Sequence, residues 1–197
     1  VCGAHVECTP EYLLQFGYMG AYYAEKVIGM PLPRVGLLNI GTEETKGAPL
    51  QRETWKLLDE ANRNGRIDFV GNVESRDIMF GACDVIVADG YSGNILLKTI
   101  EGMGLFFFDV LKNLFTASTK SKLAALMVKD GIRDIKKLMD YNETGGAPML
   151  GISKPVIKAH GSAKAYTMRS AILQAKKYVE SGIIESIKEN IDTMKVE

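Results

Sequence analysis

The sequence predicts an α/β fold with a mainly parallel β-sheet. Short apolar runs typical of buried strands alternate with segments that have helical spacing, and each run ends in a polar loop that contains glycine. This order of strand, loop and helix occurs three times, which is the signature of parallel βαβ units. The third unit is the most distinctive: the β-branched run from Asp84 turns at Asp89–Asn94 into a mostly apolar helix over 95–115.

The elements before that unit follow from local signals. Thr9 and Pro10 favour the start of a helix that extends to about Ile28, and Gly29 favours its end. The remaining predicted elements of this half are a strand over Arg34–Ile40, a helix over Leu50–Asn62, a strand over Ile67–Val70 that ends in a turn at Gly71–Asn72, and a short helix near 75–81.

The second half is predicted to be mostly helical. Residues 123–139 have helical spacing with a break at Gly131, and residues 112–137 carry seven basic residues against two acidic ones. Next comes a predicted glycine-rich loop over Tyr141–Ala147. It is followed by a predicted short strand from Pro155, which places Lys158, His160 and Gly161 in the loop at its end. A helix from Ser162 to about Asn190 completes the chain.

Composition limits the classes of function. The 197 residues are 46% hydrophobic and 24% charged, which is ordinary for a soluble globular protein. The 24 basic and 24 acidic residues cancel, so there is no global charge argument for binding nucleic acid. Three cysteines without zinc-site spacing favour a reducing compartment, and no metal or cofactor is expected. A cytoplasmic location follows as the default, and an opening on Val1 predicts a chain cut from a longer protein.

Candidate site residues lie in the loops that follow the strands. Ligands of parallel sheets bind where the carboxyl ends of strands meet their loops, and glycine, asparagine, serine and threonine with a few cations suit a small anion such as phosphate. For each loop alone, an ordinary turn or a helix cap at Asp89 and Ser92 is the simpler interpretation. The predicted phosphate-binding and substrate-binding residues are Asn39, Gly41, Thr42, Asn72, Asp89, Gly90, Ser92, Gly93, Asn94, Gly145, Gly146 and Gly161.

Other site chemistries find little support. There is no Gly-x-Ser-x-Gly nucleophile motif, no Gly-x-x-x-x-Gly-Lys-Ser/Thr phosphate loop and no Gly-x-Gly-x-x-Gly fingerprint. Cys83 precedes a buried run, where a packed and inert thiol is expected. His160 is either a structural loop histidine or a proton donor at the site, and the sequence leaves both open.

Four long motifs in order resemble the bacterial phosphate acyltransferase family PlsX. They are Pro33–Gly47, Phe69–Asp77, Asp84–Lys98 and Pro155–Ser162, and the similarity covers the whole chain. The resemblance implies a three-layer α/β/α fold like that of phosphotransacetylase and isocitrate dehydrogenase. It also implies a homodimer that transfers a fatty acyl group from acyl carrier protein to inorganic phosphate for phospholipid synthesis. The 197 residues would be the C-terminal part of such a protein, without its N-terminal loops.

The chemistry implied by the resemblance assigns roles to three cations. Phosphate can attack an activated thioester directly, so the protein must bind phosphate, stabilise an oxyanion and help a thiolate leave. The predicted catalytic residues are Lys46, Lys98 and His160. Lys46 assists phosphate or contacts the phosphopantetheine of the carrier, and Lys98 or His160 serves the oxyanion or the leaving sulfur.

A protruding amphipathic segment over 112–140 is a second predicted functional region. Its basic face with apolar residues suits an acidic carrier protein, a peripheral contact with an anionic membrane at its inner face, or a dimer interface with a solvated outer side. The predicted partner-facing residues are Lys120, Lys122, Leu123, Leu126 and Met127. Two other functions stay open: a coenzyme A-dependent phosphotransacylase, and a truncated, non-catalytic fragment that keeps its dimer and partner surfaces.

Overall fold

A computed structural model describes residues 5–138, 145–161 and 163–194. Its centre is a three-stranded parallel sheet in the order β2–β1–β3, so the predicted α/β class is confirmed, and the architecture is consistent with three layers. The strands are β1 (Arg34–Asn39), β2 (Asp68–Glu74) and β3 (Val85–Val87). The helices are α1 (Pro10–Tyr23), α2 (Pro49–Arg63), α3 (Gly90–Thr116), α4 (Thr119–Met127), α5 (Lys129–Leu138), α6 (Ala165–Glu180) and α7 (Ile183–Glu189).

The start and end of α1 match the sequence signals. Thr9 caps the helix, since its Oγ1 accepts a hydrogen bond from the backbone N–H of Tyr12 at 3.4 Å. After Tyr23 the helix widens into a π-turn over Ala24–Ile28. Gly29, with φ of 85°, ends it in the left-handed region that glycine tolerates.

Strand β2 is longer than the predicted Ile67–Val70. Val35 pairs with Phe69 and Leu37 with Asn72, so β2 holds one more residue than β1 between these pairs. Gly71 has φ of 91°, which allows this bulge, and the strand continues to Glu74. The predicted turn at Gly71–Asn72 is therefore wrong. The bulge keeps Asn72 inside the sheet, next to β1.

Helices α1 and α2 pack on one face of the sheet. At Gly17 of α1, a Cβ atom would lie 2.9 Å from Leu58 of α2 and 3.5 Å from Val87 of β3, so the missing side chain lets the three elements approach closely. The core residues Leu13, Val35 and Leu58 are fully buried there. This close packing fixes the position of the strand ends.

The C-terminal helices complete the same core. Tyr178 of α6 and Ile183 of α7 are buried against it, and Gln174 donates a hydrogen bond to the hydroxyl of Tyr23 at 3.0 Å. The single helix predicted over 162–190 is two helices, because Gly182 with φ of 66° separates them. Lys164 takes the N-cap position of α6, and the predicted cap Ser162 lies outside the described residues.

The strand predicted from Pro155 is much shorter and lies outside the parallel sheet. Residues Ile157–Lys158 form β5, which pairs antiparallel with β4 (Ala147–Pro148). Two prolines, at 148 and 155, restrict pairing in this region because proline has no N–H to donate. Most of the predicted loop over 141–147 lies outside the described residues.

Helices α3, α4 and α5 follow each other along the chain with short breaks. Ser118 caps α4, since its Oγ accepts from the backbone N–H of Ser121 at 3.1 Å. The break predicted at Gly131 is wrong: it falls at Val128, and Gly131 lies inside α5. Within the described ranges, no helix has the length and apolar character needed to cross a bilayer.

Candidate functional site

The loops after the three strands leave the same edge of the sheet. Asn39, the last residue of β1, pairs with Glu74, the last residue of β2. Leu37 pairs with Val87, so Asp89 follows β3 at the level at which Asn39 ends β1. The structure thus brings together three of the predicted site loops at the carboxyl edge, where parallel sheets bind ligands.

Two buried asparagines hold the loop that follows β1. Asn39 Nδ2 donates to Asn72 Oδ1 at 3.0 Å and to the carbonyl of Lys46 at 3.1 Å. Asn72 Nδ2 donates to the carbonyl of Glu43 at 2.7 Å. Both side chains are less than a tenth exposed, so each missing bond would leave a buried polar group unsatisfied. In the structure, Asn39 and Asn72 position the loop, and a direct contact of either with phosphate stays a prediction.

The loop over 41–47 is shaped by its glycines. Gly47 has φ of 91°, and a Cβ atom there would lie 2.5 Å from Asn39 Oδ1. At Gly41, a Cβ atom would lie 3.0 Å from the side chains of both Glu43 and Lys46. The side chains of Thr42 and Lys46 are exposed on this loop. The arrangement presents a hydroxyl and an ammonium group from a backbone that buried hydrogen bonds hold in place.

The start of α3 is capped from within the chain. Asp89 Oδ1 accepts from the backbone N–H groups of Tyr91 at 2.9 Å and Ser92 at 2.8 Å, and the Gly93 N–H bonds the Asp89 carbonyl at 3.0 Å. The Gly90 N–H donates to the carbonyl of His5 at 2.7 Å. The capping interpretation therefore describes this turn. An anion bound to these N–H groups would have to displace the Asp89 carboxylate, so the predicted cradle over 89–94 is not preformed.

Two cysteines lie near the sheet, and neither is activated. Burial, together with the nearby negative charge of Asp89, raises the pKa of the Cys8 thiol. Burial likewise raises the pKa of Cys83, with Asp84 adding to the effect. A thiol with a raised pKa is a poor nucleophile at neutral pH. The structure agrees with the inert thiol expected at Cys83.

Two of the three predicted catalytic cations, Lys98 and His160, lie on elements other than the loop over 41–47. Lys98 lies on the exposed surface of α3, where its Nζ pairs with Glu101 Oε2 at 2.8 Å. His160 lies in the turn after β5, and its carbonyl accepts from the Ala163 N–H at 2.9 Å. Catalytic roles for Lys46, Lys98 and His160 stay predictions.

The predicted glycine loop near residue 145 serves packing. Gly145 has φ of 86°, and a Cβ atom there would clash with the backbone N of Ala171 in α6. At Gly146, a Cβ atom would lie 2.8 Å from the carbonyl of Lys158 in β5. Gly145 thus lets the chain approach α6 closely, and Gly146 lets it approach β5. Gly161 is exposed, and no described atom lies within 4 Å of a Cβ position there.

Helix α4 exposes all of the predicted partner-facing residues. Leu123 is 60%, Leu126 67% and Met127 88% exposed, and the ammonium-bearing side chains of Lys120 and Lys122 are exposed on the same short helix. Exposed apolar patches are typical of interaction surfaces, and a partner for α4 stays a prediction.

The structure adds two residues, Ser75 and Arg76, to those that lie at the carboxyl edge of the sheet. Both lie directly after β2, at the carboxyl edge, and Arg76 Nη2 donates to Glu74 Oε2 at 2.9 Å. A strand predicted to end at Val70 places them away from the carboxyl edge. The apolar residues Phe69, Val70 and Val73 on both sides of Gly71 are the available signal for a longer, bulged strand.

Fold and site together define an α/β protein whose predicted ligand loops lie at the carboxyl edge of a parallel sheet. The chain belongs to the family described as "Fatty acid synthesis protein", whose profile matches residues 2–186.

Its relatives include phosphate acyltransferases of three bacteria. The one from Geobacillus sp. (strain WCH70) is 50% identical over 96% of this chain and 56% of its own length. That of Anoxybacillus flavithermus is 47% identical over 98% of this chain and 57% of its own. That of Brevibacillus brevis is 49% identical over 96% of this chain and 55% of its own. The chain thus spans a little more than half the length of these relatives.

Proposed function

We propose that this chain is the C-terminal part of an enzyme that transfers a fatty acyl group from acyl carrier protein to inorganic phosphate. The observation that carries the proposal is the identity of about half of its residues with proteins named phosphate acyltransferase. The ordered loop over 41–47 at the carboxyl edge supports it, since this edge is where parallel sheets bind substrates. The product, an acyl phosphate, would serve phospholipid synthesis, and the enzyme would work in the cytoplasm.

The proposed reaction needs no covalent enzyme intermediate. A phosphate oxygen attacks the thioester carbonyl carbon, the carbonyl oxygen carries the developing negative charge, and the carbon–sulfur bond then breaks. The sulfur leaves as a thiolate and takes up a proton. Thr42 and Lys46 are suited to hold phosphate, because both side chains are exposed on a loop whose backbone is fixed.

The first test measures acyl phosphate release in the complete enzyme. Lys46→Ala removes the cation at the loop, so we expect at least about tenfold slower turnover, in line with the loss of an electrostatic contact to the reacting groups. Lys56→Ala, at an exposed lysine of α2, is the matched control and should keep full activity. Near-normal turnover of the Lys46 variant would exclude its role. His160→Ala tests the proton donor in the same assay.

The second test separates the three candidate functions. Acyl phosphate is measured with acyl carrier protein and with coenzyme A as thioester donors, for this 197-residue chain and for a full-length relative. A preference for the carrier protein supports the proposal, and a preference for coenzyme A supports the other transacylase. Activity of the full-length protein alone would mean that this chain keeps only partner surfaces.

We further propose that α4 is the partner-facing surface. Its two lysines beside Leu123, Leu126 and Met127 would bind an anionic membrane at its inner face, the acidic carrier protein, or a second copy in a homodimer. Co-sedimentation with liposomes is expected to need anionic lipid and to be lost in Leu126→Glu. Val179→Glu, at an exposed apolar residue of α6, is the control. Equal binding to neutral liposomes, or none, would contradict the membrane contact.

A further inference from the structure

An apolar cavity that is largely open to solvent, with a volume of about 550 Å³, lies between α3 and the short 3₁₀ helix Ile78–Phe80. The 3₁₀ helix contributes Met79 and Phe80, which are 62% and 88% exposed. The lining residues from α3 are Leu96, Thr99, Ile100, Met103, Gly104 and Phe107. They recur at spacings of three and four, so they form one face of the helix.

One end of the cavity belongs to the carboxyl edge of the sheet. Ser75 and Arg76 line it, and they follow the last residue of β2 directly. Helix α3 also starts at this edge, after Asp89, so Leu96 lies nearer to the edge than Phe107 does. At about 1.5 Å per residue, these two residues are about 16 Å apart along the helix. The cavity is thus an elongated apolar groove that leads away from the candidate site.

Charge distinguishes the two ends of this groove. Among the described residues of the lining, Arg76 alone is charged, and its Nη2 donates to Glu74 at 2.9 Å, while Asp77 lies 3.7 Å from its Nε. Glu74 and Asp77 offset the charge of this guanidinium, and its five N–H donors leave some for a neutral oxygen such as a thioester carbonyl. The described residues that line the far end are apolar. This pattern fits a molecule with a polar head and a long hydrocarbon tail.

We infer that this groove binds the hydrocarbon chain of the fatty acyl substrate, with the reacting carbonyl end toward Ser75 and Arg76. The inference rests on the proposed acyl transfer and names the part of the chain that holds the acyl tail. The volume is within the range of about 300–1,000 Å³ typical of small-molecule sites. Each methylene group buried there adds to affinity, so the groove favours long acyl chains over short ones.

The inference is tested by measuring the affinity of the 197-residue chain for palmitate by calorimetry, in two matched pairs of variants. Gly104→Leu fills the groove, and Gly102→Leu adds the same side chain at a position where no described atom lies within 4 Å of a Cβ atom. Displacing about two methylene groups weakens palmitate binding about tenfold, so this loss is expected for Gly104→Leu alone.

The second pair guards against misfolding of the filled variant. Phe107→Ala removes the apolar wall at the far end, whereas Phe106→Ala removes the neighbouring ring, which is 63% exposed and lies outside the lining. Phe107→Ala should weaken binding of palmitate but leave octanoate unchanged, because the shorter chain ends before Phe107. Phe106→Ala should change neither.

Equal palmitate affinity within both pairs overturns the inference. A second result also overturns it. If the chain is a dimer in solution, Gly104→Leu dissociates that dimer, and palmitate binds neither the dimer nor the monomer, then a second copy of the chain covers the groove. Acyl phosphate release by the complete enzyme separates this inference from the proposed function. If palmitate binds but no acyl phosphate forms, only the proposed function is wrong. If the enzyme turns over and none of the four substitutions changes its chain-length preference, only the proposed groove is wrong.

Discussion

The sheet region, residues 5–89, and the α3–α5 segment, residues 90–138, are stabilised in different ways. In the sheet region, residues distant in sequence meet: Asn39 bonds Asn72, and Arg34 bonds Asp84. Beyond the start of α3, the described side-chain hydrogen bonds and ion pairs of the α3–α5 segment join residues three or four positions apart, as in Lys98 with Glu101, and many large apolar side chains are exposed.

The difference shows where each region obtains its order. Long-range pairing and burial fix the strand ends and the loop over 41–47, so substitutions there should be costly. The α3–α5 segment relies on local helix signals, and its apolar faces are free to contact other molecules. Matched substitutions in the two regions measure this contrast directly.

The largest contrast is expected for buried and exposed leucines. Leu58→Ala leaves a cavity where α1, α2 and the sheet meet, because Leu58 is fully buried, and should lower the free energy of unfolding by about 2–5 kcal/mol. Leu126→Ala, at a leucine that is 67% exposed, should change it by less than about 0.5 kcal/mol. Urea denaturation followed by circular dichroism measures both. Similar losses would mean that α4 is packed in solution.

A smaller contrast is expected for two asparagines. Asn39→Ala leaves Asn72 Oδ1 and the Lys46 carbonyl without their donor, at a cost of about 1–3 kcal/mol. Asn113→Ala removes an exposed bond to Asp109 and should be close to neutral. The same urea experiment compares them. If Asn39→Ala is also neutral, buried hydrogen bonds do not hold the loop over 41–47.

Two glycines should respond with opposite signs. Gly47→Ala forces a side chain into φ of 91° and against Asn39, so it should destabilise by about 1 kcal/mol or more. Gly131→Ala, inside α5 with open space around it, should stabilise by about 0.5–1 kcal/mol through helix propensity. Thermal denaturation gives both shifts. Destabilisation at both positions would show that residue 131 is not helical in solution.

The smallest effect concerns pH. The Arg34 side chain and backbone N–H hold the pKa of Asp84 below its usual value, so the folded state binds this proton less readily than the unfolded chain does. The resulting stabilisation is present above the unfolded pKa, and it is lost as pH falls through the lower, folded pKa. In Asp84→Asn, the fall in urea midpoint between about pH 5 and about pH 3 should be smaller than in the unchanged chain. An identical fall would show that this ion pair is too screened to matter.

Much of the fold could be predicted because its signals are local. Thr9 with Pro10, Gly29 and Asp89 mark helix ends through hydrogen bonds to neighbouring residues, and the structure has helix boundaries at all three. The wrong predictions concern segments whose structure depends on pairing with residues distant in sequence. Gly71 is typical of a turn in the sequence, but β1 pairs with β2 on both sides of it. The two-residue β5 pairs with β4 rather than with the parallel sheet.

The sequence by itself determined the α/β class, the order of elements and the family resemblance, because periodicity, caps and motifs are written in neighbouring residues. Only the tertiary structure decided what the site residues do. Asn39 and Asn72 hold a loop in place through their side-chain hydrogen bonds, and the N–H groups at the start of α3 donate to Asp89 and His5. The tertiary structure also placed Arg76 at the mouth of an apolar groove. These roles depend on which buried groups come into contact across the sheet, and no pattern of neighbouring residues specifies contacts between residues so far apart in sequence.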